Sequence, residues 1–142
     1  MRHRSDTPGV NYAVLAPNLK GFQAACEADA DEVAVFTAAS NTFSKTNTNC
    51  TIDEGLSRIS KVCEEADVSA GNREGRIRVR GYISCVLGCP FEGDVSPVVV
   101  GDIARRLWDM GCYEISLGDT IGTGTPAVSC THAPLSLLPA FR

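Results

Sequence analysis

The fold turns on the stretch Ile77–Leu117, IRVRGYISCVLGCPFEGDVSPVVVGDIARRLWDMGCYEISL. It opens on Ile77–Val86, whose alternation predicts a strand, with Arg78, Arg80, Tyr82 and Ser84 on one side and Val79, Gly81 and Ile83 on the other. Ser96-Pro97 then gives a helix start, and Val99, Val100, Ile103, Leu107 and Met110 form an apolar stripe to about Met110. Cys112–Leu117 is a second strand. A strand, a helix and a strand of these lengths predict a parallel pair with the helix packed outside it.

Upstream the alternation repeats. Asn11–Ala16 reads as a short strand stopped by Pro17, and Leu19–Ala30 as a helix with Leu19, Phe22, Ala25 and Cys26 apolar. Glu32–Thr37 is a strand apolar on both faces, followed by a polar loop over Ser40–Asn49. Thr51–Ala66 is a helix opened by a capping box, Thr51 with Glu54, and striped by Ile52, Leu56, Ile59 and Cys63. The polar, Gly-rich run Val68–Arg76 reads as a rear loop.

Repeated strand–helix units fit a doubly wound open sheet or a closed (β/α)8 barrel. Each strand runs out into a polar or Gly-rich segment: Pro17-Asn18, Ala39-Ser40-Asn41, Ser84–Gly88 and Gly118-Asp119-Thr120. In a barrel all of these face one mouth, which favours that architecture. A barrel takes about 250 residues. The chain has 142, enough for about half of one.

Composition narrows the function classes. With 44% hydrophobic and 21% charged residues the chain can build a core, and a net charge of −4 argues against a general nucleic-acid or anionic-membrane binder. No apolar run reaches the ~18–20 residues of a membrane-spanning helix. Seven cysteines, an odd number without a Cys-x-x-Cys pair, read as free thiols acting as small hydrophobes rather than zinc ligands. Gly118–Pro126 lacks the ending of a phosphate loop and reads as a turn after a strand. Arg105-Arg106 reads as a solvated helix face and Trp108 as packing.

Three stretches, NYAVLAPNLKGFQAA (Asn11–Ala25), RGYISCVLGCPFEG (Arg80–Gly93) and GCYEISLGDTIGTGTP (Gly111–Pro126), strongly resemble hydroxymethylglutaryl-CoA lyases, and AASNTFSKTNTNCTIDE (Ala38–Glu54) fits at the matching place. The resemblance runs from about Val10 to Pro126. It leaves 1–9 as an extension, 10–126 as a partial barrel domain and 127–142 as a divergent tail; only Asp67–Gly75 looks inserted.

The resemblance implies an incomplete (β/α)8 TIM barrel of about four consecutive βα units, the family's third to sixth strands. It implies retro-Claisen cleavage of hydroxymethylglutaryl-CoA to acetyl-CoA and acetoacetate, a step of leucine degradation and ketone-body formation, with Mg²⁺ or Mn²⁺ as Lewis acid. The family's metal ligands, catalytic Arg and reactive Cys lie in segments that the sequence does not match. Its histidines are His3 and His132, and Cys130-Thr131-His132 does not reproduce the family's His-Cys-His segment. No catalytic or metal residue is therefore assigned, and the chain alone is expected to be inactive.

By resemblance Asn47, Tyr82, Ser84, Asp119 and Thr120 face the acyl-CoA substrate. Spacing agrees for Tyr82 and Ser84, two apart on one strand. From the residues alone, Asp119 reads equally well as a turn residue before Thr120. The other reading is a non-catalytic isoform that binds a partner such as an intact lyase protomer; a weaker one is an open-sheet ligand-binding domain. A half barrel leaves edge strands unpaired, so a homo-oligomer or pairing with another barrel half is expected. The resemblance implies the mitochondrial matrix, with cytosol and peroxisome as the alternatives, since MRHRSDTP is too short for a convincing transit peptide.

Overall fold

The computed structural model describes residues 10–70 and 77–125. The extension at 1–9, the tail at 127–142 and the end of the rear loop at 71–76 lie outside the described residues. The elements run β1 (Ala13–Leu15), α1 (Leu19–Glu27), β2 (Glu32–Ala38), α2 (Asn41–Thr48), α3 (Ile52–Ala70), β3 (Arg78–Ser84), α4 (Pro97–Asp109) and β4 (Glu114–Leu117). The strands form one parallel sheet in the order β1-β2-β3-β4. Sequential order with a helical crossover between neighbours is the arrangement of a (β/α)8 barrel wall.

The two faces of the wall differ as the alternation requires. Val33 and Val35 of β2, Val79 and Ile83 of β3 and Ile115 of β4 are buried against Phe22, Leu56, Ile59, Val62, Val100, Ile103 and Leu107 of the helices. Gly81 lets α4 approach: a Cβ there would stand 3.1 Å from Leu107 Cδ1 and 3.3 Å from Ile115 Cδ1. The other face carries Leu15, Phe36, Tyr82 and Ser116, with Phe36 opposite Tyr82 and Tyr82 opposite Ser116 in register. Leu15 is 64% exposed there and Tyr82 37%, because no further strands cover this face among the described residues.

Helix ends follow local chemistry. The capping box forms: Thr51 N–H donates to Glu54 Oε2 at 2.7 Å, and Glu54 N–H to Thr51 Oγ1 at 3.2 Å. Ser96 caps α4, with Pro97 in its first turn. α4 ends in a Schellman motif on Gly111 (φ 103°), with Cys112 N–H donating to Leu107 C=O at 3.1 Å.

Three boundaries depart from the sequence expectation. α1 stops at Glu27 rather than Ala30, because Asp29 turns to φ 55° and Ala30 N–H donates back to Ala25 C=O at 3.0 Å. The expected loop over Ser40–Asn49 is the helix α2. Ser40 Oγ accepts from Phe43 N–H, the Thr46 and Thr48 hydroxyls donate to the carbonyls of Thr42 and Ser44, and Asn49 closes the helix at φ 51°. α3 continues to Ala70, since Asp67-Val68-Ser69-Ala70 holds no breaker before Gly71. The expected loop therefore begins later than Val68, and Asp67 belongs to the helix.

The N-terminal end of the inner face is closed by charge. Glu32, 4% exposed, is 3.1 Å from Arg80 Nε and 3.4 Å from Arg78, and it accepts the Tyr113 hydroxyl. Arg80 also reaches Glu114 at 3.1 Å and donates to the Tyr113 oxygen at 2.9 Å. Hydrogen bonding to Tyr113, then to Tyr82, raises the Arg80 pKa. Burial, then the bond to Glu32, raises that of the Tyr113 phenol.

Candidate functional site

The polar segments that follow the strands meet at one end of the wall, opposite that charged plug. After β1 come Pro17 and Asn18; after β2, Ala39 and Ser40; after β3, Cys85–Cys89; after β4, Gly118–Thr120. Backbone bonds order the rim: Ala39 N–H donates to Ser84 C=O at 2.9 Å and Gly118 N–H to Ile83 C=O at 2.8 Å.

The predicted residues separate into two groups. Tyr82 and Ser84 sit together on the inner face of β3, Tyr82 exposed and Ser84 half-buried. Arg80 lies 3.5 Å from the Tyr82 hydroxyl, which anchors the phenol from below. Thr120 stands beside them: its Oγ1 accepts the Cys85 N–H at 2.7 Å. Asp119 is committed to its own loop, accepting N–H bonds from Gly122 at 3.0 Å, Thr123 at 3.2 Å and Gly124 at 2.7 Å. The turn role that the residues alone allowed for Asp119 is thus realised, and its carboxylate shapes the loop below Gly124.

Asn47 lies apart, near the C-terminal end of α2. It lines a cavity of about 210 Å³ with Asn18, Phe36, Cys50, Gly55 and Arg58, between the β1–α1 turn and the α2–α3 corner. Phe36 links the groups, because it faces Tyr82 in the sheet register and forms part of the Asn47 cavity. Arg58 was not singled out from sequence. On a solvated helix face between Glu54 and Lys61 it carries no periodic signal; only the α2–α3 corner brings it to the rim.

The cysteines of the β3 loop are more organised than small hydrophobes need to be. Cys85 and Cys89 are both buried, and Cys85 holds a left-handed φ of 61°. Cys89 Sγ bonds Ser40 Oγ at 3.0 Å and accepts from Phe91 N–H at 3.4 Å. Burial pushes the Cys89 thiol up, but these bonds, together with those of Glu92 N–H and Cys85, outweigh it and leave the pKa lowered. Burial raises that of Cys85. The adjoining Glu92 accepts Thr42 N–H at 2.8 Å, which pins the β3 loop to α2. Farther out, Cys63 and Cys112 meet between α3 and β4, and their hydrogen bond followed by burial raises the Cys112 pKa. On the solvated face of α4, Arg106 pairs with the exposed Asp53 of α3 at 2.8 Å.

No group of His, Cys, Asp and Glu stands together in a metal-holding arrangement among the described residues. The mouth carboxylates Asp119 and Glu92 already accept backbone N–H groups. Among the described residues no helix is long and apolar enough to cross a membrane.

A parallel wall of consecutive βα units with its polar rim at the strands' C-terminal ends defines part of a (β/α)8 barrel, rim outward for binding. The particular barrel follows from kinship: the HMGL-like family pattern matches residues 3–132, and the chain belongs to that family. It is 59% identical over 119 residues to the bovine protein named hydroxymethylglutaryl-CoA lyase, mitochondrial, covering 84% of this chain and 35% of the relative. It is 58% identical over 119 residues to a zebrafish 3-hydroxy-3-methylglutaryl-CoA lyase named cytoplasmic, covering 84% and 34%.

Among solved structures, hydroxymethylglutaryl-CoA lyase from Pseudomonas aeruginosa superposes with a TM-score of 0.82 at 53% identity, over 95% of this chain and 42% of that one. An HMG-CoA lyase from Acinetobacter baumannii, in complex with coenzyme A and 3-methylmalate, gives 0.82 at 28% identity, over 98% and 43%. The chain therefore spans about a third of the length of the curated relatives it matches.

Proposed function

We propose that these residues serve a hydroxymethylglutaryl-CoA lyase, supplying part of the acyl-CoA-facing mouth of its barrel. The observation that carries this reading is that Tyr82 and Ser84 share the inner face of a strand in a chain 59% identical to such a lyase. Tyr82 and Ser84 offer hydroxyl donors beside the thioester end of the substrate, and Asn47 offers its amide farther along the rim. Thr120 and Asp119 keep the β4 loop in shape around them. The chemistry is cleavage of a carbon–carbon bond that leaves an acetyl-CoA enolate.

The Mg²⁺ or Mn²⁺ of such a reaction finds no group of ligands among the described residues, so in this reading its ligands belong to other segments of the barrel. The exposed inner face, and the edges of β1 and β4 that no strand pairs among the described residues, favour pairing with further barrel strands, from a lyase barrel or a second protomer. The mitochondrial matrix is the proposed compartment, supported by the bovine relative's name.

The test is a chimera in which residues 10–125 replace the matching segment of the bovine lyase. Metal-dependent release of acetoacetate from hydroxymethylglutaryl-CoA, lost on Tyr82→Phe with Ser84→Ala, is the expected result. A chimera that folds and binds metal but cleaves nothing overturns the reading.

A further inference from the structure

The β3 loop folds two thiols onto each other. Cys85 ends the strand at φ 61°, and its N–H is held by Thr120 Oγ1 at 2.7 Å. Cys89 exchanges backbone bonds with Gly93, at 2.7 Å and 2.9 Å, which closes a small hairpin. Gly88 precedes it where a Cβ would stand 3.0 Å from Ile121 Cδ1, so the glycine lets the loop lie down on the residues after β4. Val86, Leu87 and Gly88 are thus spanned by a hydrogen bond from the Cys85 thiol to the Cys89 sulfur.

The surroundings of the two sulfurs differ. Cys89 Sγ stands 3.0 Å from Ser40 Oγ and accepts from Phe91 N–H at 3.4 Å. Ser40 Oγ accepts Phe43 N–H at 3.1 Å, and its own hydrogen can turn to the sulfur. A Cys89 thiolate therefore has donors on several sides, whereas Cys85 is the donor of the pair and burial holds its proton in place. Such a difference separates a thiol that attacks from one that resolves. Cys89 is buried, but Pro90, Phe91 and Glu92 directly after it are exposed, so opening of this loop alone uncovers it. The Cys63–Cys112 pair is an internal comparison: the bond to Cys63, then burial, raises the Cys112 pKa.

We infer that Cys85 and Cys89 form a redox-active dithiol that a hydroperoxide closes to a disulfide. The Cys89 thiolate attacks one peroxide oxygen; the O–O bond breaks, a sulfenic acid forms, and the other oxygen leaves as alcohol, or as water from hydrogen peroxide, with the thiol's proton. The Cys85 sulfur then attacks the Cys89 sulfur; the S–O bond breaks, and water leaves with the Cys85 proton. Two thiols lose two electrons, and the hydroperoxide gains them. The disulfide ties the turn that follows Ser84 beside the Ser40 cap of α2. The inference stands apart from the acyl-CoA reading, since neither thiol is given a substrate role.

The test is graded treatment of the folded 142-residue chain with hydrogen peroxide, followed by unfolding, alkylation of the remaining thiols, tryptic digestion and mass spectrometry. Trypsin cuts after Arg80 and Arg105, and peptide 81–105 carries Cys85 and Cys89 without another cysteine. Expected is loss of both alkylation sites and of two hydrogens from this peptide, reversed by dithiothreitol, at doses that leave Cys63 and Cys112 alkylated. Cys85→Ser should instead let dimedone trap a sulfenic acid on Cys89, and Cys89→Ser should leave Cys85 alkylated. The wild-type map needs neither variant to fold. A peptide 81–105 that stays doubly alkylated once the half-buried Cys26 has been oxidised overturns the inference, as does one that gains oxygen rather than losing hydrogen.

Discussion

The Cys85 backbone N–H donates to Thr120 Oγ1 at 2.7 Å, and this bond joins the loops that follow β3 and β4 across the rim. Cys85 is also the residue held at φ 61° in a buried position, a conformation that costs a non-glycine residue about 1 kcal/mol or more. A side chain two residues beyond Gly118 thus stabilises the strained turn that presents Ser84. Thr120→Val removes the acceptor at nearly constant volume. Urea unfolding should show a loss of about 1–2 kcal/mol, while Thr120→Ser should keep most of the stability.

The charged plug at the other end of the wall makes a second prediction. Arg80 bridges Glu32 on β2 and Glu114 on β4, and Tyr113 completes the set. Arg80→Met leaves the buried Glu32 with the Tyr113 hydroxyl and the half-exposed Arg78, so a loss of about 2–3 kcal/mol is expected in chemical denaturation. Adding Glu32→Gln should return part of it, since the uncompensated charge is then gone. Additive losses in this double-mutant cycle would contradict the coupling.

Ser40 serves two elements at once. Its hydroxyl caps α2 through Phe43 N–H at 3.1 Å and meets the buried Cys89 thiol at 3.0 Å. Ser40→Ala should cost about 1 kcal/mol as a lost cap and speed amide exchange across 41–48. It should also raise the Cys89 pKa, read from the pH dependence of thiolate absorbance in the folded chain.

Acid should weaken the fold through two carboxylates. Hydrogen bonds from Thr51 lower the Glu54 pKa, and hydrogen bonds from Thr42 lower that of Glu92, both from 4.5. The unfolded chain then binds protons more readily, so this stability is present above about pH 4.5 and is lost as pH falls through the folded values. Melting temperature measured from pH 6 to 3 should fall less steeply for Glu92→Gln than for wild type. Parallel curves would remove Glu92 from the account.

The long-range order of this fold was legible because the apolar patterns were strong. Val79, Gly81 and Ile83 did face the helices, Ser96-Pro97 did open α4, and Thr51 with Glu54 did form the capping box. α2 was not legible, since NTFSKTNT buries little more than Ser44 and is held by hydroxyl bonds to backbone, which leave no apolar period. At the rim, the pairing of Tyr82 with Ser84 followed from strand geometry. The commitment of Asp119 to three N–H groups of its own loop depends on the path of Gly122–Gly124, which composition does not encode. Arg58 escaped notice for the same reason that exposed helix cations usually do.

The most direct measurement is a ¹⁵N–¹H correlation titration of the 142-residue chain with coenzyme A. Shifts confined to the rim, at Asn47, Ser84, Cys85 and Thr120, with the plug residues Glu32, Arg80 and Glu114 unmoved, are the predicted result. Saturating coenzyme A that moves no rim amide, or moves only the plug end, would contradict the assignment of this mouth to acyl-CoA.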